Sequence, residues 1–166
     1  NDHRIHGSVI TNGAVTGRMT HNSPNIAQVP AVRAPYGKEC RELFTCQPGW
    51  SLVGCDASGL ELRCLAHYMA RYDDGAYAKE ILEGDIHTAN QIAAGLPTRD
   101  KAKTFIYAFL YGAGDEKIGS IVEGTRKDGK RLKKSFLKKT PALAKLKKQV
   151  EAMVKKRGYL IGLDGR

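Results

Sequence analysis

The sequence predicts an α+β fold that is predominantly helical, and three observations carry that expectation. Apolar residues recur at helical spacing through most of Leu60–Lys156. Gly, Pro, Asn and Ser cluster in residues 1–37 around short apolar stretches, as in small strands joined by turns. A single short apolar run, Ser51–Asp56, has the look of a buried strand, and no series of alternating βαβ units follows it. The fold class therefore needs strands whose partners this chain does not obviously supply.

Each element follows from local signals. Short strands and loops are expected around Gly7, Gly13, Gly17 and Pro24. After the 51–56 strand and Gly59, a helix over Leu60–Tyr72 places Leu62, Leu65, Ala66 and Met69 on one face, and Asp73-Asp74-Gly75 ends it. Ala76–Leu82 is a second helix, stopped by Gly84, and Asp85–Ala94 a third, followed by Gly95 and Pro97. Thr98–Tyr111 is the fourth, with Thr98 as N-cap and Gly112 and Gly114 as its stop. Further helices are expected at Glu116–Val122, Lys130–Lys138 and Pro141–Lys156. A turn-rich end, Gly158–Arg166, enters a strand at Tyr159–Leu163.

The composition, 42% hydrophobic and 27% charged over 166 residues, is that of a globular domain able to bury a core. No apolar run approaches the ~20 residues of a membrane span, so a membrane partner is not expected. The first residue is Asn1 rather than Met, as in a processed product or a piece of a longer chain. Cys40, Cys46, Cys55 and Cys64 show no C-x-x-C spacing. Cys55 and Cys64 sit among apolar residues and read as small buried hydrophobes in a reducing compartment.

The net charge of +10 is regional. Residues 126–157 hold 14 Lys/Arg against two acids, whereas the remaining residues hold 13 against 15. A concentrated basic stretch commonly meets a polyanion, nucleic acid first among them. A solvated lysine-rich helix surface is the plainer reading.

Arg99, Lys103, Tyr107 and Tyr111 recur every four residues. Each four-residue step advances a helix by ~400°, so successive members drift only ~40° and share one stripe. The opposite stripe, Ala102, Phe105, Ile106, Phe109 and Leu110, is apolar and should face a core. One face is thus free for packing, while the other offers cations for phosphate and flat rings for a base. Asp56, at the end of the expected strand, suits a hard metal ion or a helix cap. Glu61 lies near a helix N-terminus, and His87 begins another, where phosphate oxygens are well received.

Taken together these segments resemble the family A DNA polymerases. C-D-A-S-G-L-E-L-R-C-L-A-H is similar to their palm motif, and R-x-x-x-K-x-x-x-Y-x-x-x-Y-G to their fingers motif. Thr16-Gly17-Arg18, Pro24-Asn25-Ile26-Ala27-Gln28-Val29-Pro30, Gly84-Asp85-Ile86-His87-Thr88 and Gly162-Leu163-Asp164-Gly165-Arg166 match further stretches in order. Gly59 and Tyr107 favour the replicative polymerases of short-tailed bacteriophages.

The resemblance implies part of the palm plus the fingers of a right-hand-shaped polymerase. Residues 1–72 would be a palm portion with primer–template loops, 73–157 the helical fingers, and 158–166 a return towards the palm. Asp56, with the Ala57 carbonyl, would bind two Mg2+ ions and be catalytic. Glu61 would lie against the sugar and disfavour a ribose 2′-hydroxyl. His87, Arg99 and Lys103 would hold the triphosphate, and Tyr107 would stack near sugar and base. Tyr111 and Gly112 would sit at the templating base, and Arg18, Asn25 and Gln28 would touch the primer–template minor groove.

Expected partners are primer–template DNA, dNTP, the remainder of the polymerase and a processivity factor, in the cytoplasm of a bacterial host cell. The family's second palm carboxylate belongs to a His-Asp-Glu motif, and none occurs in this sequence. The expectation is that these 166 residues do not polymerise DNA by themselves. The alternative is a polymerase-derived module that binds nucleotide or DNA without chemistry.

Overall fold

The computed structural model describes residues 2–162 and Gly165. They form two compact units, the first ending at Asp56 and the second beginning at Ala57. Among the described residues no helix is long and apolar enough to cross a membrane.

The first unit is small and nearly coreless. Strands β1 (Ser8–Ile10) and β2 (Thr20–Asn22) pair antiparallel, with Ser8 opposite Asn22, Val9 opposite His21 and Ile10 opposite Thr20. A short 3-10 helix, Ile26–Gln28, follows, its backbone capped by the Asn25 side chain. Helix α1 (Gly37–Glu42), absent from the sequence expectations, starts at Gly37, where a Cβ would lie 1.9 Å from the Ala31 carbonyl oxygen. Arg41 ties this helix back to the loop by donating from Nε to the Pro30 carbonyl at 2.7 Å.

The expected buried strand at Ser51–Asp56 does not form. The segment is unpaired and exposed, with Leu52 68% and Val53 92% accessible. A strand is stable only when its backbone groups find a neighbouring ladder, and the two-stranded sheet of β1 and β2 does not extend to this segment. Apolar character alone could not create that neighbour. Cys55 and Cys64 are likewise exposed rather than buried. Cys55 lies in the unpaired segment, and Cys64 points from the side of its helix opposite Leu62.

The second unit is a helical cluster with the core. Its elements are α2 (Leu60–Asp73), α3 (Ala76–Glu83), α4 (Ile86–Ala94), α5 (Arg99–Leu110), α6 (Asp115–Ile121), α7 (Arg126–Lys139) and α8 (Pro141–Arg157). All seven correspond to expected helices, with ends shifted by a few residues. Leu62, Ala66 and Met69 bury one face of α2. Tyr159–Gly162 form no strand, and Leu163, Asp164 and Arg166 lie outside the described residues.

Helix α5 occupies the centre because its apolar stripe is continuous. Ala102, Phe105 and Ile106 are wholly buried, and Phe109 and Leu110 pack half-buried against the same core. Phe105 meets Phe136 of α7 edge-on at 5.1 Å, and Phe109 meets it at 5.6 Å, a favoured aromatic arrangement. Thr98 caps α5 by accepting from the Lys101 amide at 3.2 Å. Gly112, at φ +75°, turns the chain out of the helix, and the Ala113 amide closes onto the Ala108 carbonyl.

Candidate functional site

Helices α2, α4 and α5 of the second unit bring one polar constellation together. Asp85, immediately before α4, is its N-cap, accepting from the amides of His87 at 3.1 Å and Thr88 at 3.4 Å. Thr88 Oγ1 donates to the same carboxylate at 2.8 Å. The cap fixes where α4 begins and so where the His87 ring sits. Asp85 also receives two hydrogen bonds from Arg99, Nε to Oδ2 at 2.7 Å and Nη2 to Oδ1 at 3.1 Å. This fork is the bidentate geometry that best orients a guanidinium. The Arg99 pairing, aided by the Thr88 hydroxyl, drives the Asp85 carboxyl far below the usual carboxylate range.

His87 is half-buried, and its Nδ1 is a buried atom with no hydrogen-bond partner. Burial, followed by the positive charges of Arg99 and Lys103, pushes its pKa below 6.5, with Asp85 opposing them. The ring is therefore neutral near pH 7, beside two cations. Its centroid lies 6.3 Å from that of Tyr107.

Tyr107, partly buried, has its pKa raised by burial and then by the negative potential of Glu61 and Tyr111. Tyr111, at the C-cap of α5, donates from its hydroxyl to Glu61 Oε1 at 3.0 Å. That bond joins the end of α5 to the first turn of α2, where Glu61 sits near the positive end of the helix. Arg99 and Lys103 are exposed on the same side of α5, opposite Phe105. The stripe thus runs from cations at one end to two phenols and a carboxylate at the other.

Of the residues singled out in sequence, Glu61, His87, Arg99, Lys103, Tyr107, Tyr111 and Gly112 share this region of the second unit. Arg18, Asn25 and Gln28 are exposed in the first unit, Asn25 as the cap already described. Asp56 and Ala57 are exposed at the boundary between the units, outside regular structure. Among the described residues no group of three or more His, Cys, Asp or Glu side chains could hold a metal ion. The Asp56 carboxylate and Ala57 carbonyl are hard oxygen donors suited to Mg2+, but they are at most part of such a site.

Asp85 was not among the candidate site residues, yet it positions both His87 and Arg99. Its signal was present: an aspartate immediately before a helical apolar pattern is an N-cap signature. Its second role, holding Arg99, links residues 14 apart and has no local signature.

The family model for DNA polymerase family A matches residues 1–166. The DNA-directed DNA polymerases of Escherichia phage T7 and Enterobacteria phage T3 are each 58% identical to the chain across 99% of its length. The chain spans only 27% of the length of either relative. Among solved structures, the POL domain of Pol1 from M. smegmatis, in complex with DNA primer–template and dNTP, superposes with a TM-score of 0.75. That match covers 98% of the chain and 30% of the other at 22% identity, so it speaks for the fold alone. The helical cluster of the second unit and the small sheet of the first are thus a fragment of a right-hand polymerase fold, and the chain belongs to DNA polymerase family A.

Proposed function

We propose that the chain is the palm-and-fingers segment of a phage replicative DNA polymerase, and that the exposed stripe of α5 receives the incoming dNTP. Residues 1–72 contribute the palm portion, 73–157 the fingers and 158–166 the return towards the palm. The observation that carries this reading is the graded stripe: Arg99 and Lys103 beside His87 at one end, Tyr107, Tyr111 and Glu61 at the other. A triphosphate matches the cationic end, and sugar and base match the rings.

Each residue has a distinct task in that reading. Asp85 fixes Nε and Nη2 of Arg99, leaving Nη1 to reach a phosphate oxygen. Lys103 adds a compact charge, and the orphaned His87 ring supplies a further polar contact. The Tyr111–Glu61 bond closes the far end of the stripe, where Tyr111 and Gly112 meet the templating base and Glu61 the sugar. Arg18, Asn25 and Gln28 contact the primer–template minor groove, which reports duplex shape rather than sequence.

In the complete enzyme Mg2+ would stabilise the attacking and departing oxygens, with Asp56 and the Ala57 carbonyl among its ligands. The described residues do not complete that site, so nucleotidyl transfer is assigned to a whole polymerase, and the relatives are about four times longer than this chain. The remainder of the polymerase, on this chain's continuation or on another chain, is the expected partner, along with a processivity factor. The setting is the cytoplasm of an infected bacterium.

Two measurements test the reading. Arg99→Ala and Lys103→Ala should each weaken dNTP binding roughly tenfold, the scale of one lost charge-assisted contact, while nucleoside binding changes little. Equal loss for nucleoside and triphosphate would overturn the stripe assignment. The chain alone should show no primer extension, and adding the absent palm segment in trans should restore an extension that Asp56→Ala removes. Failure to restore it with a folded segment would instead favour a binding module without chemistry.

A further inference from the structure

We propose that the exposed face of α7 bearing Lys127, Lys130, Lys134 and Lys138 is a second DNA-binding surface, one that grips the phosphate backbone of duplex DNA. At 100° per residue these four lysines fall within a strip ~80° wide, and Arg131 borders it. All four are exposed, and no ion pair engages them among the described residues. The helix's acid, Asp128, is outside the strip and is already committed to the Thr125 cap and to Arg131. Four neighbouring cations in one row, with no counter-charge, repel one another unless a polyanion lies along them.

The row is separate from the α5 stripe. Gly129 and Phe136, both buried, mark the inner face of α7, and Phe136 packs on Phe105 and Phe109. Phe105 in turn lies on the side of α5 opposite Arg99 and Lys103. The two charged rows therefore face away from the Phe105–Phe136 contact on opposite sides. DNA on α7 cannot be the segment paired with a nucleotide on α5.

Chemistry selects duplex DNA among polyanions. Single strands are held by bases stacked on aromatic side chains. Residues 126–157 contain one aromatic, Phe136, which is fully buried. An acidic protein partner would want an apolar anchor amid the charges; Leu132 and Leu137 instead pack against the core. The row extends over 11 residue steps, ~16 Å at 1.5 Å each. A duplex strand presents about five phosphates over that axial distance. Contacts of this kind carry no base recognition.

The test uses the chain with a relaxed, covalently closed duplex circle, which offers no primer end, and a closed single-stranded circle. Binding is measured against salt for wild type, for the Lys→Gln variant at 127, 130, 134 and 138, and for a charge-matched Lys→Gln variant at 145, 148, 155 and 156 on α8. Circular dichroism establishes that both variants fold. Wild type should prefer the duplex, and the α7 variant should lose roughly tenfold or more in affinity and about three and a half units of salt slope. The α8 variant should lose clearly less. Equal losses in the two variants would reduce the effect to net charge and overturn the proposal. So would a preference for the single-stranded circle, or stronger binding of polyglutamate than of duplex. None of these outcomes bears on triphosphate affinity at Arg99 and Lys103, so the two readings fail separately.

Discussion

Asp85 performs two jobs with one carboxylate, and they can be pulled apart. As a cap it needs only an acceptor oxygen, which Asn supplies nearly as well; as the anchor of Arg99 it needs both oxygens and the charge. Asp85→Asn should therefore keep the helix content of the chain while loosening Arg99, seen as a dNTP affinity that falls several-fold, on the order of half a lost charge-assisted contact. Asp85→Ala should lower the melting temperature as well; identical melting of the two variants would show that the cap contributes nothing. His87 offers a second handle. Because burial and the adjacent cations hold its pKa below 6.5, the folded chain binds its proton more weakly than the unfolded chain does. The stabilisation is full above 6.5 and is lost as pH falls through the folded value. NMR titration should place the His87 midpoint below 6.5, and a bound triphosphate should move it upward by offsetting Arg99 and Lys103. A midpoint unmoved by saturating dNTP would exclude a triphosphate beside His87.

At the level of elements, helix existence was legible and tertiary dependence was not. The seven helices of the second unit announced themselves by periodicity, and Thr98 together with Gly75, Gly84, Gly95, Gly112 and Gly158 marked several of their ends. Ser51–Asp56 was misread because the same apolar run describes a paired strand or an unpaired segment, and pairing is a property of other residues. The α5 stripe was legible because both of its faces are periodic, while the Tyr111–Glu61 and Arg99–Asp85 links had to await the packing of three helices. The α6–α7 contact was hidden for a different reason: it depends on what is missing from two glycines. A Cβ on Gly129 would stand 1.9 Å from the Asp115 carbonyl oxygen and 2.6 Å from the Gly119 amide. Helix propensity alone favours Gly129→Ala by about 1 kcal/mol. Forcing atoms into a filled contact costs about 1–3 kcal/mol or more. The clash should win, so Gly129→Ala should lower the urea midpoint; a raised midpoint would show that α6 and α7 can part cheaply. Phe136→Ala, which empties the aromatic contact behind α5, should cost about 3–5 kcal/mol in the same measurement.

For the whole molecule, apolar burial is lopsided. Among the described residues every buried hydrophobic side chain of the core lies between Leu62 and Leu143, in the second unit. The first unit instead leaves Ile10, Met19, Leu43, Trp50, Leu52 and Val53 at least half accessible. Fifty-odd residues without a core cannot offset their own conformational entropy, whereas a helical cluster with a dozen buried apolar side chains can. The two units should therefore differ in independent stability. A fragment of residues 57–166 should unfold cooperatively in urea, with a slope close to that of the whole chain because that slope follows the surface exposed. A fragment of residues 1–56 should show no cooperative transition. Trp50, the sole tryptophan, gives an internal check, since it is 74% exposed in the first unit. Its fluorescence should barely change across the transition that circular dichroism reports from the helices. A large Trp50 change coincident with helix loss would mean that the ring is buried by the folded second unit in solution. A non-cooperative 57–166 fragment would mean that the core depends on residues before Ala57.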